Sequence, residues 1–162
     1  MRLRLIVPTD LDALSRAALA NPRRRQHLNL HADYTDHCQR LFNAVEPDSY
    51  IRPHRHTDPP KPECFVAVRG RLQLLLFDDA GNVTERIDLA PAGPVVATDL
   101  AAGVWHTILA LEAGSIFFEA KPGPYVALSD KDFAPWAPAE GSVMSRHYLA
   151  ALCTTRLAPE RR

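Results

Sequence analysis

Cysteine is scarce in this sequence, and what there is builds no framework. Cys38, Cys64 and Cys153 are odd in number and far apart, with no CxxC spacing, which is poor material for a disulfide scaffold or a structural zinc site. An excess of charge of one sign is also missing: nineteen Lys and Arg balance nineteen Asp and Glu. Without a whole-protein field, nucleic acids and anionic membranes are disfavoured as partners. No apolar stretch approaches bilayer-spanning length. Residues 1–10 contain Leu5-Ile6-Val7 but no longer apolar region with a small-residue cleavage site, so the chain is expected to be soluble and cytoplasmic. No repeat or low-complexity block divides the 162 residues. One domain over 1–162 is expected, long enough to bury roughly two-thirds of its unfolded surface.

The chain opens with a helix expected over about 10–20, with Thr9 as N-cap, Asp12 three residues later and Asn21-Pro22 as the stop. Alternation then sets in, with His27, Asn29 and His31 facing one way and Leu28 and Leu30 the other, a short polar-faced strand. Residues 38–121 read as the core, a succession of short strands over 39–45, 50–56, 63–68, 71–77, 83–89, 95–98, 105–111 and 115–121. The turn at Asp78-Asp79-Ala80-Gly81-Asn82 is a hairpin signal. Strands this short, punctuated by glycine and proline, point to an all-β sandwich or barrel. Residues 122–162 read as a wrap packed on the barrel, with a helix over 143–152 and a frayed end over the last six residues.

His54-Arg55-His56 carries the chemistry. Residues two apart on a strand project to the same face, about 7 Å apart, and two imidazoles on one face can converge on one ion at about 2.0–2.1 Å. Glu63 opens the next strand, and His106 must come from an opposing sheet. Three nitrogens and one carboxylate oxygen leave coordination positions open, as a ligand-binding or reactive site requires. The alternative is that these are ordinary core or surface histidines.

The segment 48–70 resembles the first cupin motif: a turn at Asp48, then His54 and His56, then Glu63, closed by Gly70. Ala101-Ala102-Gly103-Val104-Trp105-His106 resembles the second motif. More narrowly, the chain resembles WbuC-type cupin metalloproteins. The resemblance rests on Asn21-Pro22-Arg23-Arg24-Arg25, Leu28-Asn29-Leu30-His31, Gln39-Arg40-Leu41, Ser49-Tyr50-Ile51-Arg52-Pro53-His54-Arg55-His56 and Glu119-Ala120-Lys121-Pro122-Gly123-Pro124-Tyr125. Asp48, Ala101 and Ala110 depart from the motifs, at glycine, proline and asparagine positions, and leave the four ligands in place. The resemblance implies an all-β cupin fold, a double-stranded β-helix forming a small barrel. It also implies one divalent transition metal (Zn, Ni, Fe or Mn) on His54, His56, Glu63 and His106, and an association with surface-polysaccharide (O-antigen) sugar biosynthesis.

Around that centre, Phe117, Glu119 and Lys121 share one strand face. Glu119 and Lys121 are candidate acid and base, or a structural ion pair. Gln39, Glu119, Lys121 and Arg25 are candidate ligand-binding groups. Gln39 and Asn43 also read as satisfied buried amides, and Arg23, Arg24 and Arg25 as a solvated basic patch. The expected ligand is a small polar or anionic metabolite such as a sugar derivative. Whether the protein is a metal-dependent enzyme or a non-catalytic binding module stays open, and pairing of an edge strand over 27–31 suggests a homodimer.

Overall fold

The computed structural model describes residues 3–127 and 132–154. Its elements are α1 (Pro8–Ala20), β1 (Arg25–Asn29), β2 (Cys38–Val45), β3 (Glu63–Arg69), β4 (Leu72–Phe77), β5 (Val83–Leu89), β6 (Ala97–Leu100), β7 (Trp105–Ala110), β8 (Ser115–Pro122) and α2 (Val143–Thr154). The strands form a five-stranded sheet in the order β1-β2-β8-β3-β6 and a three-stranded sheet in the order β5-β4-β7. Both are antiparallel throughout.

Alternation along the strands sorts side chains into layers. Inward-facing Val45, Phe65, Leu72, Leu74, Leu89, Ile108 and Phe117 form the core between the sheets, where a fully buried leucine contributes about 1.5–3 kcal/mol. The outer face of the five-stranded sheet presents Ala44 and Ile116, against which α1 lays Leu14 and Ala18. On the outer face of the three-stranded sheet, Leu75, Phe77, Trp105 and Leu109 are covered by Ala134, Ala137 and by Leu149 and Leu152 of α2. The order is therefore helix, sheet, sheet, helix.

This corrects the expected fold class. The molecule is a mixed α/β fold with two open sheets and two helices, not an all-β closed barrel. Among the described residues the sheets do not merge into one ladder. The physical reason lies in 50–56, expected as a strand, which pairs with β7 only through the single bridge His54↔His106. Pro53 has no N–H to give a ladder, and the proline-rich loop that follows leads the chain away.

Smaller corrections concern caps and ends. The helix begins at Pro8 with Val7 as N-cap, whose N–H is taken by the Asp10 carboxylate at 2.9 Å. Proline at the first helical position needs no N–H partner, so Thr9 lies inside the helix and not at its cap. The strand expected over 95–98 is Ala97–Leu100, and the expected strand at 27–31 is Arg25–Asn29, the outermost of its sheet. The last six residues lie outside the described residues.

The chain crosses from one sheet to the other at Gly70, where φ is +68° and an added Cβ would meet Ser115 Oγ at 2.5 Å. Left-handed backbone costs a non-glycine residue about 1–2 kcal/mol before any clash. Gly70→Ala is accordingly expected to lower the unfolding free energy measured in urea by at least that amount, and an unchanged value would show that the corner does not need glycine.

Candidate metal centre

Three distant segments meet between the sheets. His54 lies in the extended 50–56 stretch, Glu63 opens β3 and His106 is the second residue of β7. The backbones of His54 and His106 are locked together by reciprocal N–H to carbonyl bonds of 3.0 Å. One ligand atom from each of His54, Glu63 and His106 lies within 4.8 Å of the other two, a cluster geometrically compatible with a divalent metal.

The hydrogen bonds assign the imidazole tautomers. His54 Nδ1 is 3.1 Å from the Arg52 carbonyl, and His106 Nδ1 is 3.0 Å from the Val104 carbonyl. A carbonyl only accepts, so each Nδ1 carries the hydrogen and each Nε2 offers a lone pair. His106 Nε2 lies 3.0 Å from Glu63 Oε2. Two electron-pair-bearing atoms this close need a positive charge between them, and two donors on one ion at about 2.1 Å sit roughly 3 Å apart. Glu63 Oε2 and His56 Nε2 are both buried without a well-formed hydrogen bond. The donor set and its unsatisfied atoms fit a divalent ion.

His56 stands slightly apart, its Nε2 3.2 Å from Glu63 Oε1. It falls outside the tightest trio because the chain turns away after His54, with Arg55 N bonded to the Asp132 carbonyl at 2.9 Å.

Charge at the centre is balanced by Lys121. Its ammonium lies 3.0 Å from Glu63 Oε1 and 2.5 Å from Glu119 Oε1, and Asn43 Nδ2 donates to Glu119 Oε2 at 2.9 Å. Burial works against the Lys121 charge, but Glu119 and Glu63 outweigh it and raise its pKa above the usual lysine value. For Glu63, burial pushes upward, while the facing His106 and His56 rings and the Lys121 charge hold the carboxyl far below the usual range. Burial, with His106 adding to it, takes His54 down to about 3, so this ring is neutral and available as a ligand.

The centre separates two cavities, both of which include His54 and Lys121. The inner one, about 160 Å³, lies between the sheets beside Asn43, Phe117 and Glu119. The outer one, about 120 Å³, opens past His56, Lys61 and Tyr125. Glu119 and Lys121 thus reach the centre. Gln39 lines the outer cavity, but its amide donates to the Asp36 carbonyl at 2.9 Å. Arg25 lines the inner cavity, while its guanidinium is engaged by Glu140 at 2.8 Å and the Tyr50 carbonyl at 3.0 Å. Arg23 also binds Glu140, and Arg24 binds Asp48, so the arginine run is tied down by acids remote in sequence. Sequence reasoning missed Glu140, Lys61 and Asp132. All three sit in irregular segments whose position no periodicity reveals.

The family described as Domain of unknown function (DUF6016) matches residues 6–89, just over half of the chain. The chain belongs to this family. No curated protein matches the sequence. Among solved structures, KdgF from Halomonas sp. is similar with a TM-score of 0.50 and 18% identity, covering 65% of this chain and 84% of that one. A mutant of Bacillus subtilis oxalate decarboxylase is similar with a TM-score of 0.51 and 18% identity, over 69% of this chain. A second mutant of that enzyme gives 0.50 and 15%, over 68% of this chain. The DUF6016 chain spans 28% of each of these decarboxylase chains. At these identities the likeness is one of fold alone. Among the described residues no helix is long and apolar enough to cross a membrane.

Proposed function

We propose that this DUF6016 protein is a metal-dependent enzyme acting on a small polar or anionic metabolite, with His54, His56, Glu63 and His106 as ligands of one divalent ion. One observation supports the reading above the others: Lys121 bridges Glu63 of the proposed ligand set and Glu119 of the cavity wall, at 3.0 and 2.5 Å. A binding module does not require an ammonium and a second carboxylate beside its ion. A catalyst that moves a proton at a ligand held there does.

A zinc, nickel, iron or manganese ion in this position would supply Lewis-acid polarisation of a ligand oxygen. The protein's own groups do the rest. Asn43 holds Glu119 in register, and Glu119 and Lys121 present an acceptor and a donor to the cavity. Phe65, Phe117 and Ile108 supply its apolar wall. The oxalate decarboxylases of the same fold act on a small organic acid by name, which agrees with an oxygen-rich anionic substrate. The resemblance of 49–56 and 119–125 to WbuC-type proteins supports, at a finer level, a sugar intermediate of surface-polysaccharide biosynthesis.

Elemental analysis of protein purified without added metal is expected to find about one transition-metal ion per chain. A sugar acid is expected to displace citrate from that protein, and chelation is expected to abolish the competition. Displacement that survives chelation unchanged would refute the metal as anchor.

A further inference from the structure

The outer cavity has a rim that the metal reading does not use. Tyr125 lines this cavity together with His54 and His56, and it remains 51% exposed, with Tyr34 beside it 54% exposed. Their ring centroids are 4.9 Å apart. The pair is held from below. Tyr125 N–H donates to the Tyr34 carbonyl at 2.7 Å, and Gly123 N–H to the His37 carbonyl at 2.8 Å. Lys61 Nζ donates to the Pro124 carbonyl between them. Gly123 passes so close to the 34–37 turn that an added Cβ would stand 1.8 Å from the Asp36 carbonyl oxygen. Both loops are therefore fastened by backbone bonds and do not need the rings to hold them together. Two tyrosines fixed in place yet half in water have faces still available for contact.

We infer that Tyr125, supported by Tyr34, is a stacking platform for a ring-shaped sugar acid whose carboxylate end reaches the metal centre. This inference rests on the metal-dependent reading and names the substrate class of the same site. The chemistry of the rim selects that class. A pyranose offers a C–H face to an aromatic ring and hydroxyls to the polar groups around it. Lys61, Gln39 and Asp58 stand around the same opening, and His54, His56 and Lys121 of the proposed metal centre line it too. An open-chain hydroxy acid satisfies the floor and the polar wall but has no rigid face for Tyr125. A purely aromatic ligand would use the tyrosines but offer no oxygen to the metal centre.

The test compares glucuronate, a six-carbon acid in pyranose form, with gluconate, an open-chain six-carbon hydroxy acid. Both are titrated calorimetrically into metal-loaded full-length protein. Tyr125→Ala is expected to weaken glucuronate about tenfold, the upper range for an aromatic contact, and gluconate less than twofold. Tyr125→Phe keeps the ring and is expected to retain wild-type glucuronate affinity, which separates stacking from a hydroxyl contact or a misplaced loop. Saturation transfer from protein to the sugar C–H protons is expected in wild type and lost in Tyr125→Ala. The platform is overturned if glucuronate fails to bind the wild type, if both acids weaken equally, or if neither responds to Tyr125→Ala. Equal binding before and after chelation overturns the metal reading instead, and the Tyr125 arm is still read on the same samples.

Discussion

Replacing Lys121 by methionine is expected to lower the unfolding free energy of the metal-free protein by about 3–5 kcal/mol, the cost of removing one partner from a buried ion network. Lys121 lies between two carboxylates whose side chains are only 2% (Glu63) and 10% (Glu119) exposed. Without the ammonium, two buried anions face each other across the cavity. The pH dependence should reveal the cause. In the wild type the Glu63 carboxyl is held far below its ordinary value. Its stabilising contribution is therefore present above about pH 4.5, the unfolded value, and is lost as pH falls further. In Lys121→Met the burial of Glu63 is no longer offset by the ammonium, so the deficit should be largest at neutral pH and shrink towards pH 4. Adding Glu119→Gln to Lys121→Met should recover part of the loss, since it removes one of the two stranded charges. Urea titrations at pH 7.5 and 4.5 measure all of this. A loss below about 1 kcal/mol, the range of an exposed pair, would show that Lys121 is not integral to the centre.

The second large effect concerns the proposed ligands. His106→Ala is expected to reduce metal content from about one ion per chain to near zero and to abolish the rise in Tm on adding metal. An ion at a thousand times its Kd stabilises the native state by about 4 kcal/mol, and this whole increment should vanish. Metal release should require marked acidification. His54 is neutral in the folded chain down to about 3, whereas the unfolded chain takes up its proton near pH 6.5. The unfolded state binds more protons between those values, so stability from this group is full above pH 6.5 and declines as pH falls towards 3. Metal binding, which needs the neutral ring, follows the same direction. Differential scanning fluorimetry with and without chelator, across pH 3.5–7.5, tests both statements. An unchanged metal stoichiometry in His106→Ala would remove this histidine from the ligand set.

Much of the candidate centre was legible in the sequence because it depends on short-range geometry. The two-residue period of a strand placed Phe117, Glu119 and Lys121 on one face of β8. The Asp78-to-Asn82 turn marked the β4–β5 hairpin, where Asp78 Oδ1 accepts from Ala80 N and Asn82 N. Leu28 alternating with His27 and Asn29 announced a strand with one polar face. These are properties of neighbouring residues, and backbone stereochemistry alone sets them.

Tertiary structure decided what depends on where distant segments come to rest. The 50–56 stretch has the composition of a strand, but Pro53 and the course of the following loop left it a single bridge to β7, and the sheets stayed open. His56 was thereby shifted to the far oxygen of Glu63. The arginines of 23–25 read in isolation as a solvated basic patch, yet Glu140, more than a hundred residues on, engages Arg23 and Arg25. Tyr34 and Tyr125 have no pattern that predicts their contact, because loop-to-loop backbone bonds create it. Periodicity specifies which way a side chain points from its own strand. Long-range packing, through loop closure and the burial of particular faces, specifies what it meets there.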